Sequence, residues 1–263
     1  MISPQSFELH IVDGIAEIVL DRPEAYNALT FDVYRELTQL FADLQNYEEA
    51  RVVILTGRGK AFCSGGDVKE IIGPLLDKSE KELLDFTRMT CELIWNIRTL
   101  AKPVIACLNG VTAGAGAMLA IASDFRIAAD TAKIAFLFVK VGLSGADMGA
   151  CYLLPKIVGL THATHLLMTG EFLPAEDALR IGLYNRVAPA VELSDATMEL
   201  ARALASGPAY GLAVTKQQCN AETLPQLREI LDLEASVQAK CMLHPDFREG
   251  YNAFVEKRKP RFS

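Results

Sequence analysis

Two stretches of this chain leave a short, β-branched strand through a glycine-rich turn and then enter a helix. RVVILT (51–56) is followed by GRGKAFCSGGDVKE, and PVIAC (103–107) is followed, after Leu108, by NGVTAGAGAM. Glycine lets the backbone come close to another group, and the start of a helix offers unpaired N–H groups that favour negative charge. The pattern favours an oxyanion hole made of two backbone N–H groups. Tight packing of each turn against a neighbouring strand remains the alternative.

Strands and helices alternate over most of the chain. FELHIVDGIAEIVLDRP predicts a hairpin turning at Asp13-Gly14, and TFDVYRELTQLFADLQNY predicts a helix with Thr30 as its N-cap. DFRIAAD and KIAFLFVKV predict further strands, which gives the repeated β-β-α or β-α units of an α/β core. From Leu193 onward every segment has helical spacing. The sequence therefore predicts an α/β core over 1–192 and a helical region over 193–263.

Composition argues against several classes of protein. The six cysteines never form a CxxC motif, and the four histidines lack a carboxylate or thiol partner at ligand spacing, so neither a metal site nor disulfides are expected. The net charge is −7 and the basic residues are dispersed until the tail EKRKPR, which argues against a nucleic-acid partner. No apolar run approaches the roughly 18 residues of a membrane span, and MISPQSFELH lacks a secretory pattern. A cytoplasmic protein without a membrane partner is expected.

Two other kinds of site have sequence motifs that this chain matches only in part. A dinucleotide fingerprint needs GxGxxG or GxGxxA, whereas Gly114-Ala-Gly-Ala-Met118 continues to leucine without an acidic residue at the required distance. A serine nucleophile elbow needs GxSxG, whereas GLSGA (142–146) ends in alanine. Ser144 with Asp147 and either His162 or His165 stays an open, weaker alternative.

Five segments in register resemble the enoyl-CoA hydratase/isomerase (crotonase) superfamily. AFCSGGDVKE (61–70) is similar to its first oxyanion motif, and KPVIACLNGVTAGAGAMLAIASDFRIAA (102–129) is similar to its second. LDRPEAYNAL, TGEFLPAEDALRIGLYNRV (169–187) and REGYNAFVEKRKPRF resemble the family in the same order, so the resemblance covers nearly the whole chain. It implies a crotonase-like α/β spiral of repeated β-β-α units with a C-terminal helical trimerisation region.

The resemblance also implies a site for an acyl-CoA substrate. It gives the N–H groups of Gly66 and Ala115 as the oxyanion hole for the thioester oxygen. It places coenzyme A along Ala25, Ala61, Ser64, Asp67, Phe254 and Lys257. Coenzyme A belongs to the substrate, so no separate cofactor is expected. A lysine in a basic tail suits a phosphate, although Lys257 is equally consistent with a solvated helix end. The resemblance further implies a homo-oligomer, either a trimer or a dimer of trimers.

Three positions in the chain affect which reaction is expected. Hydratases of the family carry two glutamates that activate water, and the resemblance aligns these with Met118 and Phe138, neither of which transfers a proton. Asp147 matches the aspartate that dienoyl-CoA isomerases of the family use in proton transfer, and it lies near the nucleophile of the aryl-CoA dehalogenases. Capping of the following helix is the structural alternative for Asp147.

These residues lead to an expected reaction and an expected substrate. We expect double-bond isomerisation of an unsaturated acyl-CoA through an enolate, with Asp147 moving the proton. Hydration, hydrolase- or dehalogenase-type chemistry at Asp147, and a non-catalytic CoA-binding homologue are the alternatives. Met118 and Phe138 predict an apolar acyl pocket for a medium-length or cyclic group. Leu84, Met89 and Trp95 could add to its wall, although an amphipathic core helix explains their spacing equally well.

Overall fold

The chain opens with the predicted hairpin and helix. In the computed structural model, which describes residues 4–221 and 224–263, β1 (Glu8–Val12) pairs antiparallel with β2 (Ile15–Leu20). The turn residues Asp13 and Gly14 both have positive φ, at 52° and 79°. Helix α1 (Phe31–Leu44) begins after Thr30, whose hydroxyl accepts a hydrogen bond from the Val33 N–H at 3.3 Å. Both expectations for this segment are confirmed.

Two sheets of mostly parallel strands form the centre of the protein. After β1 and β2, the strands are β3 (Val52–Gly57), β4 (Ala61–Cys63), β5 (Val104–Leu108), β6 (Val111–Ala113), β7 (Phe125–Ala129), β8 (Lys133–Ala135), β9 (Leu173–Pro174) and β10 (Arg186–Ala188). The larger sheet has the order β1-β2-β3-β5-β7-β10, and the smaller has the order β4-β6-β8-β9.

The strand order reveals a repeating unit. In three consecutive pairs, β3/β4, β5/β6 and β7/β8, the first strand joins the larger sheet and the second joins the smaller one. A helical segment follows each pair, and equivalent strands of successive units pair in parallel. The chain therefore winds as a spiral of β-β-α units, and the predicted α/β class is confirmed.

Helices surround the two sheets and form the C-terminal region. α4 (Ala115–Ala122) is buried along its whole length and contacts both α3 (Glu80–Thr99) and α5 (Ala150–Thr169), so its apolar sequence reflects burial on every side. The further helices are α2 (Gly73–Leu75), α3 (Glu80–Thr99), α4 (Ala115–Ala122), α5 (Ala150–Thr169), α6 (Ala175–Arg180), α7 (Leu193–Ser206), α8 (Ala209–Ala221), α9 (Leu224–Leu243) and α10 (Pro245–Val255), with 3-10 turns at Pro23–Ala25 and Leu137–Val141 and a π turn at Val68–Ile72.

The predicted strand KIAFLFVKV is wrong in its second half. β8 ends at Ala135, and Leu137–Val141 forms a 3-10 helix. Gly142 ends this helix with a left-handed φ of 76°, and the Leu143 N–H bonds back to the Phe138 carbonyl at 3.0 Å. A short apolar run without clear periodicity does not separate a buried strand from a helical turn, and here the glycine decides the outcome.

The helical region begins where the change in pattern predicts it, since α7 starts at Leu193. Parts of it pack directly on the core: α9 lies against α3, and α10 lies against the 3-10 helix at 137–141. The division into a core and an oligomerisation region stays a prediction. None of the described helices combines the length and the apolar character needed to span a membrane.

Candidate functional site

The two glycine-rich turns meet backbone to backbone. A β-carbon added to Gly65 would lie 3.2 Å from the Ala113 carbonyl oxygen and 3.4 Å from the Ala115 nitrogen. Gly65 has a φ of +103° and Gly114 has a φ of +52°, values that side chains disfavour. Glycine at these two positions therefore lets both turns present backbone atoms at one place.

Each turn contributes one N–H group that the local secondary structure does not use. Leu29 donates to the Gly65 carbonyl at 2.8 Å and accepts from the Asp67 N–H at 2.9 Å, and this bridge leaves the Gly66 N–H outside it. Ala115 is the first residue of α4, so its N–H has no acceptor within the helix. Gly66 and Ala115 both line the same cavity. This arrangement suits an oxygen atom that carries negative charge.

Other glycines of these turns serve packing. A β-carbon on Gly116 would lie 2.2 Å from the Cys63 carbonyl oxygen, and one on Gly110 would lie 2.1 Å from that of Lys60. Neither position faces the cavity. The small residues of the second turn thus have two different roles. Gly110 and Gly116 allow close approach to strand β4 and to Lys60, which precedes it, whereas Gly114 and Ala115 lie at the cavity.

The cavity has a volume of about 900 Å³ and reaches from the two turns to the C-terminal helix. Its inner wall is largely apolar and includes Phe86, Phe138, Leu143, Met148 and Met242. Lys69, Lys140 and Arg258 also line it, so one space combines apolar walls with cationic side chains.

Asp147 is the buried carboxylate of this cavity. It is 8% exposed, and its Oδ1 atom has no hydrogen-bond partner among the described residues. Burial raises the pKa of Asp147 to about 7, against the smaller opposing effects of the Gln238 amide and the Met148 N–H. A carboxyl group in this state exchanges a proton near neutral pH, as an acid–base catalyst must.

Asp147 does not cap the following helix with its side chain. The N-cap of α5 is Gly149, with no side-chain capping bond of its own. The carboxylate of Glu234 on α9 instead accepts hydrogen bonds from the Gly149 and Cys151 N–H groups, at 2.6 and 3.2 Å. The start of α5 is therefore capped by the Glu234 side chain and not by the Asp147 side chain.

The serine alternative finds no support in the described residues. The Ser144 hydroxyl accepts a hydrogen bond from the Ala146 N–H at 3.0 Å. His162 and His165 are exposed on α5, and His165 pairs with Glu171 at 3.4 Å. No hydrogen bond or ion pair within 4–221 and 224–263 joins either histidine to Ser144 or Asp147.

Sequence comparison decides the family. The family described as enoyl-CoA hydratase/isomerase matches residues 10–263. The chain belongs to the enoyl-CoA hydratase/isomerase family. Its expected resemblance to this superfamily, and the crotonase-like fold that the resemblance implies, are thereby confirmed.

Relatives in the enoyl-CoA hydratase/isomerase family carry different names. A 1,2-epoxyphenylacetyl-CoA isomerase of Escherichia coli is 35% identical over 258 residues, covering 97% of both chains. A trans-2-decenoyl-(acyl-carrier-protein) isomerase of Streptococcus mutans is 30% identical over 254 residues, covering 97% of this chain and 96% of that one. The solved structure of an enoyl-CoA hydratase from Mycobacterium avium subsp. paratuberculosis is 32% identical, with a TM-score of 0.89 and coverage of 99% and 100%.

Most of the substrate-binding residues implied by the enoyl-CoA hydratase/isomerase resemblance line the cavity, namely Ala25, Ser64, Asp67, Phe138 and Phe254. Asp67 also has a local role, since its carboxylate accepts from the Lys69 and Glu70 N–H groups at 2.9 and 3.0 Å. Burial raises its pKa, but these bonds and Arg22 outweigh burial, so the pKa of Asp67 lies below its usual value.

Three implied contacts lie away from the cavity wall. Met118 is fully buried within α4, and Ala61 is buried with its carbonyl accepting from the Asn27 amide at 2.8 Å. Lys257 is exposed, and its neighbour Arg258 lines the cavity instead. Substrate contacts by these three residues stay predictions, and the buried position of Met118 favours a packing role for its side chain. On α3, Phe86, Thr87 and Thr90 face the cavity, whereas the suggested Leu84, Met89 and Trp95 do not.

Sequence reasoning missed Tyr34, Glu234 and Gln238. Tyr34 is buried in α1, and its hydroxyl lies 3.9 Å from the position that a β-carbon on Gly66 would take. Burial is the main reason why the pKa of Tyr34 is raised well above its usual value. Glu234 and Gln238 are buried on α9, at spacings that continue the buried positions Leu227 and Leu231. Polar residues at core-facing helical spacing are the signal that would have found them.

Proposed function

We propose that this protein isomerises the double bond of an unsaturated acyl-CoA thioester, with Asp147 as the group that moves the proton. The observation that carries the proposal is the unpartnered, buried carboxyl oxygen of Asp147 in the same cavity as the N–H groups of Gly66 and Ala115. A base and an oxyanion hole are the two elements that enolate chemistry requires.

The proposed reaction is balanced with a single carboxylate. With a 3-enoyl thioester, ionised Asp147 takes a proton from C2, and the electron pair of that C–H bond delocalises onto the thioester oxygen, which Gly66 and Ala115 stabilise. Protonated Asp147 then returns the proton to C4, so the double bond moves from C3–C4 to C2–C3. No redox step or additional cofactor takes part, because coenzyme A enters as part of the substrate.

The lining of the cavity supports an acyl-CoA of this kind. Lys69 and Lys140 are cations suited to the phosphates of coenzyme A. Arg258, which is paired with Glu249 and Glu256, lies along the same space with Ala25, Ser64, Asp67 and Phe254. Phe86, Phe138, Leu143 and Met242 suit an apolar acyl group of medium length or a cyclic one. The names of the two isomerase relatives, one acting on an epoxyphenylacetyl group and one on a decenoyl group, fit this range.

Hydration is less favoured than isomerisation. In the alignment implied by the resemblance, Met118 and Phe138 occupy the positions of the two glutamates that hold water in hydratases, and Met118 is fully buried. Asp147 can transfer a proton, but the chain lacks the pair of glutamates that holds water in hydratases of the family. Covalent attack by Asp147 would require a leaving group on the acyl part. A protein that binds acyl-CoA without turnover is the remaining alternative.

We also propose a cytoplasmic homo-oligomer, either a trimer or a dimer of trimers. All six cysteines are free thiols, and three of them are buried, which fits a reducing compartment. Exposed apolar side chains on the later helices, such as Tyr210, Leu233 and Leu243, give surfaces that oligomerisation would cover.

The proposed reaction is tested by NMR with the wild-type protein in deuterium oxide. Trans-3-decenoyl-CoA and crotonyl-CoA are incubated separately, and both double-bond position and added oxygen are followed. The proposal expects conversion of the first compound to the 2-enoyl isomer and little hydration of the second. Rapid hydration of crotonyl-CoA without isomerisation would overturn it, and binding of both thioesters without turnover would favour the non-catalytic alternative.

A further inference from the structure

The side chain of Glu234 caps the start of α5, the helix that follows Asp147. It is only 3% exposed, on α9, and its Oε2 accepts from the Gly149 N–H at 2.6 Å while its Oε1 accepts from the Cys151 N–H at 3.2 Å. The first N–H groups of a helix have no partner within the helix and favour a negative charge. A carboxylate from a distant part of the chain thus fixes the backbone two residues beyond Asp147.

Gln238, one turn further along α9, holds the other side of the same segment. Its Oε1 accepts from the Ser144 N–H at 3.1 Å, and its Nε2 donates to the Ser144 carbonyl at 3.4 Å. Helix α9 is itself fixed to α3, because the Thr87 hydroxyl donates to the Ala235 carbonyl at 2.8 Å. The segment 144–151, with Asp147 near its middle, is therefore attached to a rigid helix at both ends.

This segment needs such support because its backbone is unusual. Met148 has a φ of +52°, and Gly149 has a φ of +85°. A left-handed conformation at a non-glycine residue costs roughly 1 kcal/mol or more and persists only where neighbouring contacts maintain it. The bonds from Glu234 are direct contacts of this kind.

We propose that Glu234 is a positioning residue for the reaction at Asp147: its buried carboxylate holds the segment that carries Asp147 and places a second negative charge beside that catalytic group. The inference rests on the proposed function, since it assigns Asp147 the proton transfer. It adds a residue of the C-terminal helical region to the machinery of the site.

The two carboxyl groups influence each other's protonation. Burial raises the pKa of Glu234 to about 7; the Gly149 N–H lowers it, and the charge of Asp147 raises it further. Because such coupling is reciprocal, a charge on Glu234 disfavours ionisation of Asp147 and makes ionised Asp147 the stronger base.

Three other titratable groups near the pair have raised pKa values. Cys91 on α3 has a raised pKa, mainly from burial and also from the charges of Asp147 and Glu234. Burial raises the pKa of Cys151 on α5 to about 11, and the pKa of Tyr34 on α1 is raised as well. Among the described residues, the groups that shift the pKa of either carboxyl include no cation, so no positive side chain would compensate a charge on Glu234.

The test compares pH profiles of kcat/KM for trans-3-decenoyl-CoA isomerisation. The acid limb of this profile reports ionisation of Asp147 in the free enzyme. Glu234→Gln keeps one acceptor for the Gly149 N–H but removes the charge, so the limb should move to lower pH by about one unit. Glu234→Asp keeps the charge and shortens the side chain, so the rate should fall while the limb stays in place. Glu229→Gln, on an exposed position of the same helix, should change neither.

A loss of rate in Glu234→Gln without movement of the limb would overturn the inference, because a purely structural role predicts that result. The proposed function fails separately, if Asp147→Asn keeps its turnover. A reciprocal measurement does not depend on how well the Glu234 variants fold. With carbon-13 labelled glutamate, NMR should show a lower pKa for Glu234 in Asp147→Asn than in the wild type, and an unchanged or higher value would overturn the inference.

Discussion

The backbone nitrogen of Ala115 lies 3.4 Å from the place where a β-carbon on Gly65 would stand. Residues from two separate turns, fifty positions apart in the chain, thereby form one surface in the cavity wall. The contact joins the smaller sheet to the start of α4 and sets the spacing of the two N–H groups that face the substrate space.

Gly65→Ala tests this contact. The added methyl group meets the Ala113 carbonyl oxygen at 3.2 Å on a backbone with a φ of +103°, so we expect a loss of roughly 1–3 kcal/mol in stability. Displacement of one N–H group from the oxyanion hole should lower kcat at least tenfold. Chemical denaturation and steady-state kinetics measure the two effects.

Gly211→Ala is the matched control, since Gly211 lies in α8 with only ordinary contacts around the added carbon. It should raise stability by about 0.5–1 kcal/mol and leave kcat unchanged. Equal losses in the two variants would show that the contact between the turns has no special role.

Stability and activity are expected to oppose each other at Asp147. Its pKa is raised to about 7 in the folded protein, so between about pH 4 and pH 7 the folded state keeps a proton that the unfolded chain has released. The free energy of unfolding therefore falls as pH rises through this window. Asp147→Asn removes that dependence, and its stability relative to the wild type should improve by about 2–4 kcal/mol between pH 4 and pH 8.

Urea unfolding at both pH values measures this difference. Asp85→Asn, at an exposed position of α3, should show no change with pH relative to the wild type. If Asp147→Asn gains nothing at pH 8, the carboxyl group is not held in its neutral form by burial.

Much of this architecture was predictable from local pattern. The hairpin at Asp13-Gly14, the N-cap Thr30 and the start of the helical region at Leu193 each have a signal within a few residues, and all three are found in the structure. The two glycine-rich turns also have a local signal, because each follows a β-branched strand directly in the sequence. The contact between these turns depends on how β4 and β6 pair in the smaller sheet. Resemblance to a known family predicts that contact, whereas hydrophobic periodicity does not.

What could not be predicted depends on side-chain direction and distant partners. Met118 follows the second turn in sequence, but the packing of α4 on every side directs its side chain into the core. The buried carboxylate that holds the Asp147 segment comes from Glu234, 87 positions later in the chain. Nothing local to Asp147 in the sequence indicates that partner, and the spacing within α9 indicates only that Glu234 faces inward.

Met118 and Phe138 should respond differently to the same truncation. Met118 is fully buried and does not line the cavity, so Met118→Ala should cost about 2–5 kcal/mol of stability and change substrate preference little. Phe138 lines the cavity, and Phe138→Ala should enlarge the acyl space and raise the relative kcat/KM for bulkier acyl groups.

A competition assay between decenoyl-CoA and phenyl-substituted enoyl-CoA thioesters measures preference, and thermal unfolding measures stability. If Met118→Ala changes preference more than Phe138→Ala does, Met118 contacts the acyl group despite its position in the core.

Turnover and binding in Asp147→Asn test the central claim most directly. Isothermal titration calorimetry with decanoyl-CoA measures affinity, and ultraviolet absorbance of the conjugated thioester measures conversion of trans-3-decenoyl-CoA. We expect affinity within about tenfold of the wild type, a difference of roughly 1.4 kcal/mol, together with loss of turnover. Retained isomerisation in a correctly folded Asp147→Asn protein would contradict the account and remove Asp147 from the proton transfer.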